Sequence, residues 1–107
     1  MANPWAGEVA LVLNGEPRVA KLTLGALAEL EAGLGEQMLV DLVERFERQR
    51  FSTRDIMAVI VAGLRGGGWQ GTAEDLRNAD IGGGPMQAVR VAAELLARAF
   101  TVPEAEV

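Results

Sequence analysis

The side chains that perform most acid–base and nucleophilic chemistry are missing from this sequence. Its 107 residues include neither histidine nor cysteine, which removes the commonest general base, every thiolate nucleophile and the usual transition-metal ligands. The only serine, Ser52, stands three residues before Asp55, a spacing typical of a helix N-terminal cap. Neighbouring carboxylates such as Glu44 and Glu47 fall on a predicted solvent-facing helix surface. The sequence therefore predicts no enzyme activity, no cofactor and no metal site.

Residues 66–71 (GGGWQG) match the G-x-G-x-x-G pattern of dinucleotide-binding loops. That loop requires a strand before it, a helix after it and an acidic residue about 20 positions onward. Here a predicted helix precedes the glycines, and Arg90 and Val91 stand where the acidic residue is expected. We interpret the segment as a connection between helices.

Trp69 lies in this glycine-rich segment. Tryptophan is enriched in binding hot spots, so Trp69 is a candidate partner-binding residue. The alternative is that its ring folds back onto the core.

Apolar residues on either side of Asn14-Gly15 predict a β-hairpin over residues 8–22. Asn-Gly is the strongest short hairpin signal, because both central residues of a type I′ turn need positive φ. A two-residue turn sets the register, which pairs Val12 with Pro17 and Glu8 with Lys21. One face of the hairpin is then apolar and belongs to the core: Val9, Leu11, Leu13, Ala20 and Leu22.

The opposite face of the hairpin is also partly apolar, because it carries Ala10, Val12 and Val19. A two-stranded hairpin is marginal in water unless helices cover one face, and the second face is left to a partner or to solvent. Val12 and Val19 are therefore candidate partner-binding residues. Scattered exposed apolar residues, which are normal in monomers, are the alternative interpretation.

Capping signals and apolar periodicity predict four to five helices between residues 23 and 100. Thr23 caps the first helix, Ser52 begins the third and Thr72 begins a short fourth. In the third helix, Met57 and Val61 widen the core stripe formed by Ile56, Val59, Ile60 and Leu64.

The second and last helices carry more specific predictions. The second spans residues 36–49, and its outer face places acid before base four residues apart in the pairs Asp41–Arg45 and Glu44–Arg48. The last helix spans residues 85–100, with four residues predicted to face inward: Val89, Ala93, Leu96 and Phe100.

Length and composition indicate one domain over residues 1–107. With 50% hydrophobic and 23% charged residues, the chain is expected to fold as a globular domain. The predicted fold class is α+β and mainly helical, with an N-terminal β-hairpin packed on a bundle of four or five helices. Residues 101–107 are predicted to form a frayed acidic tail.

Charge and hydropathy restrict the partners. The net charge of −5 disfavours binding to the phosphate backbone of nucleic acids. No apolar run approaches the roughly 20 residues of a membrane-spanning helix, and the N-terminus lacks the features of a signal peptide. A cytoplasmic location without membrane contact is expected, and the partners should be proteins.

Three segments that follow the EVALVLNGEPR hairpin resemble a known protein family: residues 22–35, 44–68 and 88–100. They are similar to the small tail protein encoded in alphaproteobacterial gene transfer agents and related phages. The most specific part is residues 51–68, where a capped helix ends in AGLRGGG. Members are described as tail tube or tail assembly chaperone proteins, so the resemblance implies a role in building a phage-like tail and no catalytic residues.

Among the roles that this resemblance implies, the hairpin favours a tail assembly chaperone, because a tube subunit is expected to contribute a large β-sheet to a ring. The implied partners are the tape-measure protein, other tail proteins and further copies of this chain. One alternative is a structural tail or tube component that stays in the virion. A second alternative is a small acidic adaptor or regulatory domain that binds a host protein.

Overall fold

The computed structural model describes residues 6–35 and 38–100. The elements, in chain order, are β1 Glu8–Leu13, β2 Glu16–Lys21, α1 Leu24–Gly33, α2 Leu39–Glu47, α3 Thr53–Gly66, α4 Ala73–Arg77 and α5 Gly84–Ala99. These elements confirm the predicted fold class of an N-terminal hairpin followed by helices. The predicted acidic tail, residues 101–107, and the first two residues of the predicted second helix lie outside the described residues.

The hairpin has the predicted turn and register. Asn14 and Gly15 both have positive φ, 52° and 81°, as a type I′ turn requires. Val12 lies opposite Pro17 and Glu8 lies opposite Lys21. The five residues predicted for the core face are all buried, none with more than 8% of its surface exposed.

α3 is the central element and packs against α1, α4, α5 and β2. Its residues Val59, Ile60 and Leu64 are at most 1% exposed, as the apolar periodicity predicts. Such burial of aliphatic side chains contributes roughly 1.5–3 kcal/mol each. The helix begins with a capping box, in which Ser52 Oγ accepts from the Asp55 N–H and Asp55 Oδ2 accepts from the Ser52 N–H.

α5 buries a different stripe from the predicted one. Its buried residues are Ala88, Val91, Ala92, Leu95 and Leu96. Of the four residues predicted to face inward, only Leu96 is buried, while Val89 is half-buried and Ala93 and Phe100 are exposed. The physical reason lies in α3, where a Cβ atom placed on Gly63 would stand 2.7 Å from Leu95. Leu95 therefore packs over a glycine, and this contact sets the rotation of α5.

The end of α3 lies unusually close to β2. A Cβ atom on Gly66 would stand 2.0 Å from the carbonyl oxygen of Lys21, and one on Gly67 would stand 2.0 Å from that of Val19. A Cβ atom cannot occupy either position without displacing the backbone. Gly66 and Gly67 are thus packed against the hairpin, and the connection to α4 begins only after them.

α2 is joined to α3 by an ion pair that the sequence does not predict. Arg45 donates from Nε and Nη2 to the two carboxylate oxygens of Asp55, at 3.1 and 2.9 Å. Asp41, Glu44 and Arg48 are exposed, as predicted for the outer face of the second helix. Neither acid–base pair of that face forms a salt bridge among the described residues, and Asp41 accepts a hydrogen bond from the Met38 N–H. A partly buried, bidentate arginine–carboxylate pair is stronger than an exposed pair within one helix.

The contact between Arg45 and Asp55 changes the pKa of both side chains. Burial raises the pKa of Asp55, but hydrogen bonds from Arg45 and Ser52 outweigh that effect and hold the pKa below its ordinary value. The hydrogen bond to Asp55 raises the pKa of Arg45. The charged form of Asp55 is thus favoured in the folded protein.

Replacing Gly66 with alanine should destabilise the fold even though alanine is the better helix former. The new methyl group meets the Lys21 carbonyl, and we expect Gly66→Ala to lower the free energy of unfolding by about 2 kcal/mol or more. Gly25→Ala is the matched control, because its Cβ would meet only Thr23 Oγ1 at 3.9 Å; it should raise stability by about 0.5 kcal/mol. Equilibrium urea unfolding measures both. Equal midpoints for Gly66→Ala and the parent would contradict the close approach.

Asp55→Asn should remove the ion pair and change the response to acid. We expect a loss of about 2 kcal/mol at neutral pH, between the values for exposed and buried pairs. Because the folded pKa of Asp55 is lowered, the stabilisation is complete above its unfolded pKa of about 4 and is lost as the pH falls through the lower folded value.

Urea unfolding from neutral pH down to about pH 2 should therefore show a smaller acid-induced loss for Asp55→Asn than for the parent. Asp75→Asn is the control, because Asp75 holds the same position in the capping box of α4. If the control and Asp55→Asn behave alike, the cap rather than the ion pair accounts for the effect.

Candidate partner-binding surfaces

The three predicted partner-binding residues do not share one surface. Val12 and Val19 lie on the face of the hairpin that points away from the core. Trp69 lies against the inner side, where it lines a cleft together with Leu13 and Arg18. Successive residues of a strand point to opposite faces, so the structure separates Trp69 from the two valines.

The outer face of the hairpin is a small patch formed by Ala10, Val12, Pro17 and Val19. Val12 is 40% exposed, and Val19 is half-buried. Part of Val12 is covered by Gly82, where a Cβ atom would stand 2.9 Å from the Cβ of Val12. The exposed apolar area of this face is therefore limited.

Trp69 packs back onto its own chain. Its backbone N–H donates to the Leu64 carbonyl at 2.9 Å, and its half-buried ring packs against the core. The ring covers Gly71, because a Cβ atom there would stand 2.1 Å from a ring carbon. Arg65 holds the same turn by donating to the Gly71 carbonyl at 3.0 Å. The ring is therefore folded onto the core, and partner binding by Trp69 stays a prediction.

A third surface was not predicted from the sequence. It is a groove of about 400 Å³ over α3, bounded by α1 on one side and α4 on the other. We call it the α1–α4 groove. It has an apolar lining from all three helices: Leu30, Gly33, Met57, Ala58, Val61, Ala62 and Ala73.

The sequence holds a signal for this groove. Residues 56–64 contain no polar residue, although a helix on a protein surface normally shows a polar face. The apolar pattern assigns Met57 and Val61 to a widened core stripe, but both are only half-buried. The apolar residues of α3 extend around more of the helix than the neighbouring elements cover. Some of its apolar surface therefore remains open in the groove.

Arginines give the α1–α4 groove its charge. Arg54, Arg77 and Glu29 also line it, and Glu29 is paired with Arg65 at 2.9 Å. Neither the Arg54 nor the Arg77 side chain forms a hydrogen bond or ion pair with another residue in the described ranges. Two unpaired guanidinium groups therefore border an apolar groove on a chain with a net charge of −5.

A metal-binding group and a membrane-spanning helix are both absent from residues 6–35 and 38–100. No group of three or more acidic side chains there is arranged to hold a metal ion. None of the helices in these ranges is long and apolar enough to cross a membrane.

Trp69→Ala should lower the free energy of unfolding. Truncating a fully buried tryptophan costs about 3–5 kcal/mol, so we expect roughly 2 kcal/mol for this half-buried ring. Val12→Ala, at the exposed candidate position, should cost less than about 1 kcal/mol. Urea unfolding followed by circular dichroism measures both. An unchanged midpoint for Trp69→Ala would show that the ring adds nothing to the core and would favour its assignment to partner binding.

Residues 6–102 match the model of the family described as phage tail tube protein, GTA-gp10. No curated protein and no solved structure gives a significant match. The matched region covers both strands and all five helices of the described structure, and it confirms the resemblance to tail proteins of gene transfer agents and phages. The chain belongs to the phage tail tube protein, GTA-gp10, family.

Proposed function

We propose that this protein is a non-enzymatic tail assembly chaperone that binds the tape-measure protein while a phage-like tail tube is built. Family membership supports a role in the tail. The finer choice, chaperone rather than tube subunit, is supported by one observation: parts of the chain already cover the edges of the two-stranded sheet that the described residues form.

The edges matter because a tube subunit is expected to join its sheet to those of its neighbours. In an antiparallel pair, alternate residues point their N–H and C=O groups away from the partner strand. Along β2 these residues include Val19 and Lys21, whose carbonyls lie against Gly67 and Gly66. Another chain could not pair with β2 there unless the end of α3 moved.

The edge of β1 is covered at both ends. The Gly82 N–H donates to the Val12 carbonyl at 2.9 Å, and the Arg98 guanidinium donates to the Glu8 carbonyl. Covered edges are typical of proteins that avoid strand addition. This arrangement supports a subunit that acts through its helices.

The absence of catalysis is part of the proposal. The sequence has no histidine or cysteine, so nucleophilic and acid–base chemistry would depend on carboxylates, Lys21, hydroxyl groups or the chain termini. The one buried carboxylate of the described residues, Asp55, is engaged by Arg45 and Ser52. A protein that binds and releases its partner needs none of this chemistry.

The second candidate is a structural tail or tube component that remains in the virion. The description of the family as a tail tube protein favours it. The two functions differ in what happens to the protein after assembly. A chaperone should be depleted from finished particles, whereas a tube component should be present in many copies.

Co-expression with the tape-measure protein of the same gene cluster tests the proposal. We expect the two proteins to co-elute in a complex of defined mass, measured by size-exclusion chromatography with light scattering, and the tape-measure protein expressed alone to aggregate. Quantitative mass spectrometry of purified particles should find little of this chain. A tape-measure protein that aggregates in its presence would contradict the chaperone function, and many copies per particle would favour the structural role.

A further inference from the structure

The α1–α4 groove has the size and lining of a site for a few apolar side chains. Its volume, about 400 Å³, lies at the small end of the range for ligand pockets, about 300–1,000 Å³. The part of α3 between its walls carries Met57, Ala58 and Val61, which are all half-buried. Small residues such as Gly33, Ala58 and Ala73 leave room for side chains from outside.

The walls of the groove favour a helical occupant. The floor of the groove is formed by Met57, Ala58, Val61 and Ala62 in the interior of α3, and their backbone N–H and C=O groups are already hydrogen-bonded within that helix. They offer almost no main-chain partners to an extended segment, and its buried N–H and C=O groups would remain unsatisfied. A helix satisfies its own backbone and can place one apolar stripe in a groove of this kind.

The charge of the groove favours an acidic occupant. Arg54 and Arg77 border it without a partner in the described structure. Arg54 also stands in the first turn of α3, where the helix dipole disfavours a cation. Helix stability does not explain an arginine at this position, whereas a carboxylate brought by a ligand does.

We propose that the α1–α4 groove binds a short amphipathic helix of another protein, with its apolar stripe on α3 and its carboxylates at Arg54 and Arg77. The inference deepens the proposed function and rests on it only for the identity of the partner, a segment of the tape-measure protein. The groove is lined by ten residues, whereas each side of a stable dimer contributes about 20–30, so a second copy of the chain is not the expected occupant.

A titration with designed peptides tests the chemistry of the groove without requiring the natural partner. The probe is a short helical peptide with leucines on one face and glutamates on the other, and its control has every glutamate replaced by lysine. Methyl resonances of Met57, Ala58, Val61 and Ala62 in the full chain report binding. We expect the acidic peptide to shift these resonances and the basic peptide to leave them unchanged.

Two charge-reversal variants locate the contact. Arg54→Glu should weaken binding of the acidic peptide about tenfold or more, since it removes an attraction and adds a repulsion. It should not unfold the protein, because an acid is favourable in the first turn of α3. Arg90→Glu makes the same change in charge on an exposed part of α5 outside the groove, and it should change the affinity less than about twofold. Arg77→Gln is a second groove variant, expected to weaken binding about threefold or more.

Several outcomes would overturn the inference. Groove resonances that do not respond to the acidic peptide, or that respond equally to the basic one, would exclude this ligand chemistry. Equal losses for Arg54→Glu and Arg90→Glu would show attraction by net charge alone. A chain ending at residue 100 whose groove resonances differ from those of the full chain would show that residues 101–107, which include Glu104 and Glu106, occupy the groove instead.

The outcome is separable from that of the proposed function. If the peptide binds the groove but the tape-measure protein does not co-elute with the chain, the groove stands and the chaperone function fails. If the tape-measure protein co-elutes equally with the parent and with Arg54→Glu, the chaperone function stands, and the groove is not the site that it uses.

Discussion

The end of α3 lies against the backbone of β2 with only hydrogen atoms between them. Gly66 and Gly67 make this approach possible, because a Cβ atom at either position would stand 2.0 Å from a β2 carbonyl oxygen. The contact fixes how the central helix crosses the hairpin, and it covers one edge of the sheet. The remaining helices are arranged around a helix whose position is set there.

With α3 positioned in this way, α1, α4 and α5 pack against different sides of it. Gly63 receives Leu95 from α5, and α1 and α4 flank the opposite side. α4 has only five residues and cannot cover all of the apolar surface that α3 presents. The α1–α4 groove is the uncovered remainder. Arg54 and Arg77, which have no side-chain partner among residues 6–35 and 38–100, give its border a charge opposite to that of the chain as a whole.

The covered sheet edges and the open groove suggest the same mode of action. Where the edges of the strands are covered, strand addition is disfavoured, and the α1–α4 groove offers an apolar surface among helices instead. Such a site suits temporary binding of a helical segment, since a small interface can form and separate during assembly. Both features support the proposed chaperone function, although the family is described as a tail tube protein.

Local signals in the sequence determined the elements of this protein. Asn14-Gly15 specifies the turn and register of the hairpin because the pattern and the turn geometry act over neighbouring residues, and Ser52 and Thr72 begin helices for the same reason. The lack of histidine and cysteine limits the available chemistry however the chain folds. The family resemblance was also carried by the sequence alone.

Only the tertiary structure decided which residues meet across the chain. Arg45 has an acid available four residues away, yet it pairs with Asp55 because folding brings a bidentate partner into a partly buried place. The apolar residues of α5 fit two overlapping stripes, and the choice between them depended on the space above Gly63. The groove depended on how short α4 is relative to the apolar arc of α3. Each outcome follows from distances between elements, which local sequence signals do not encode.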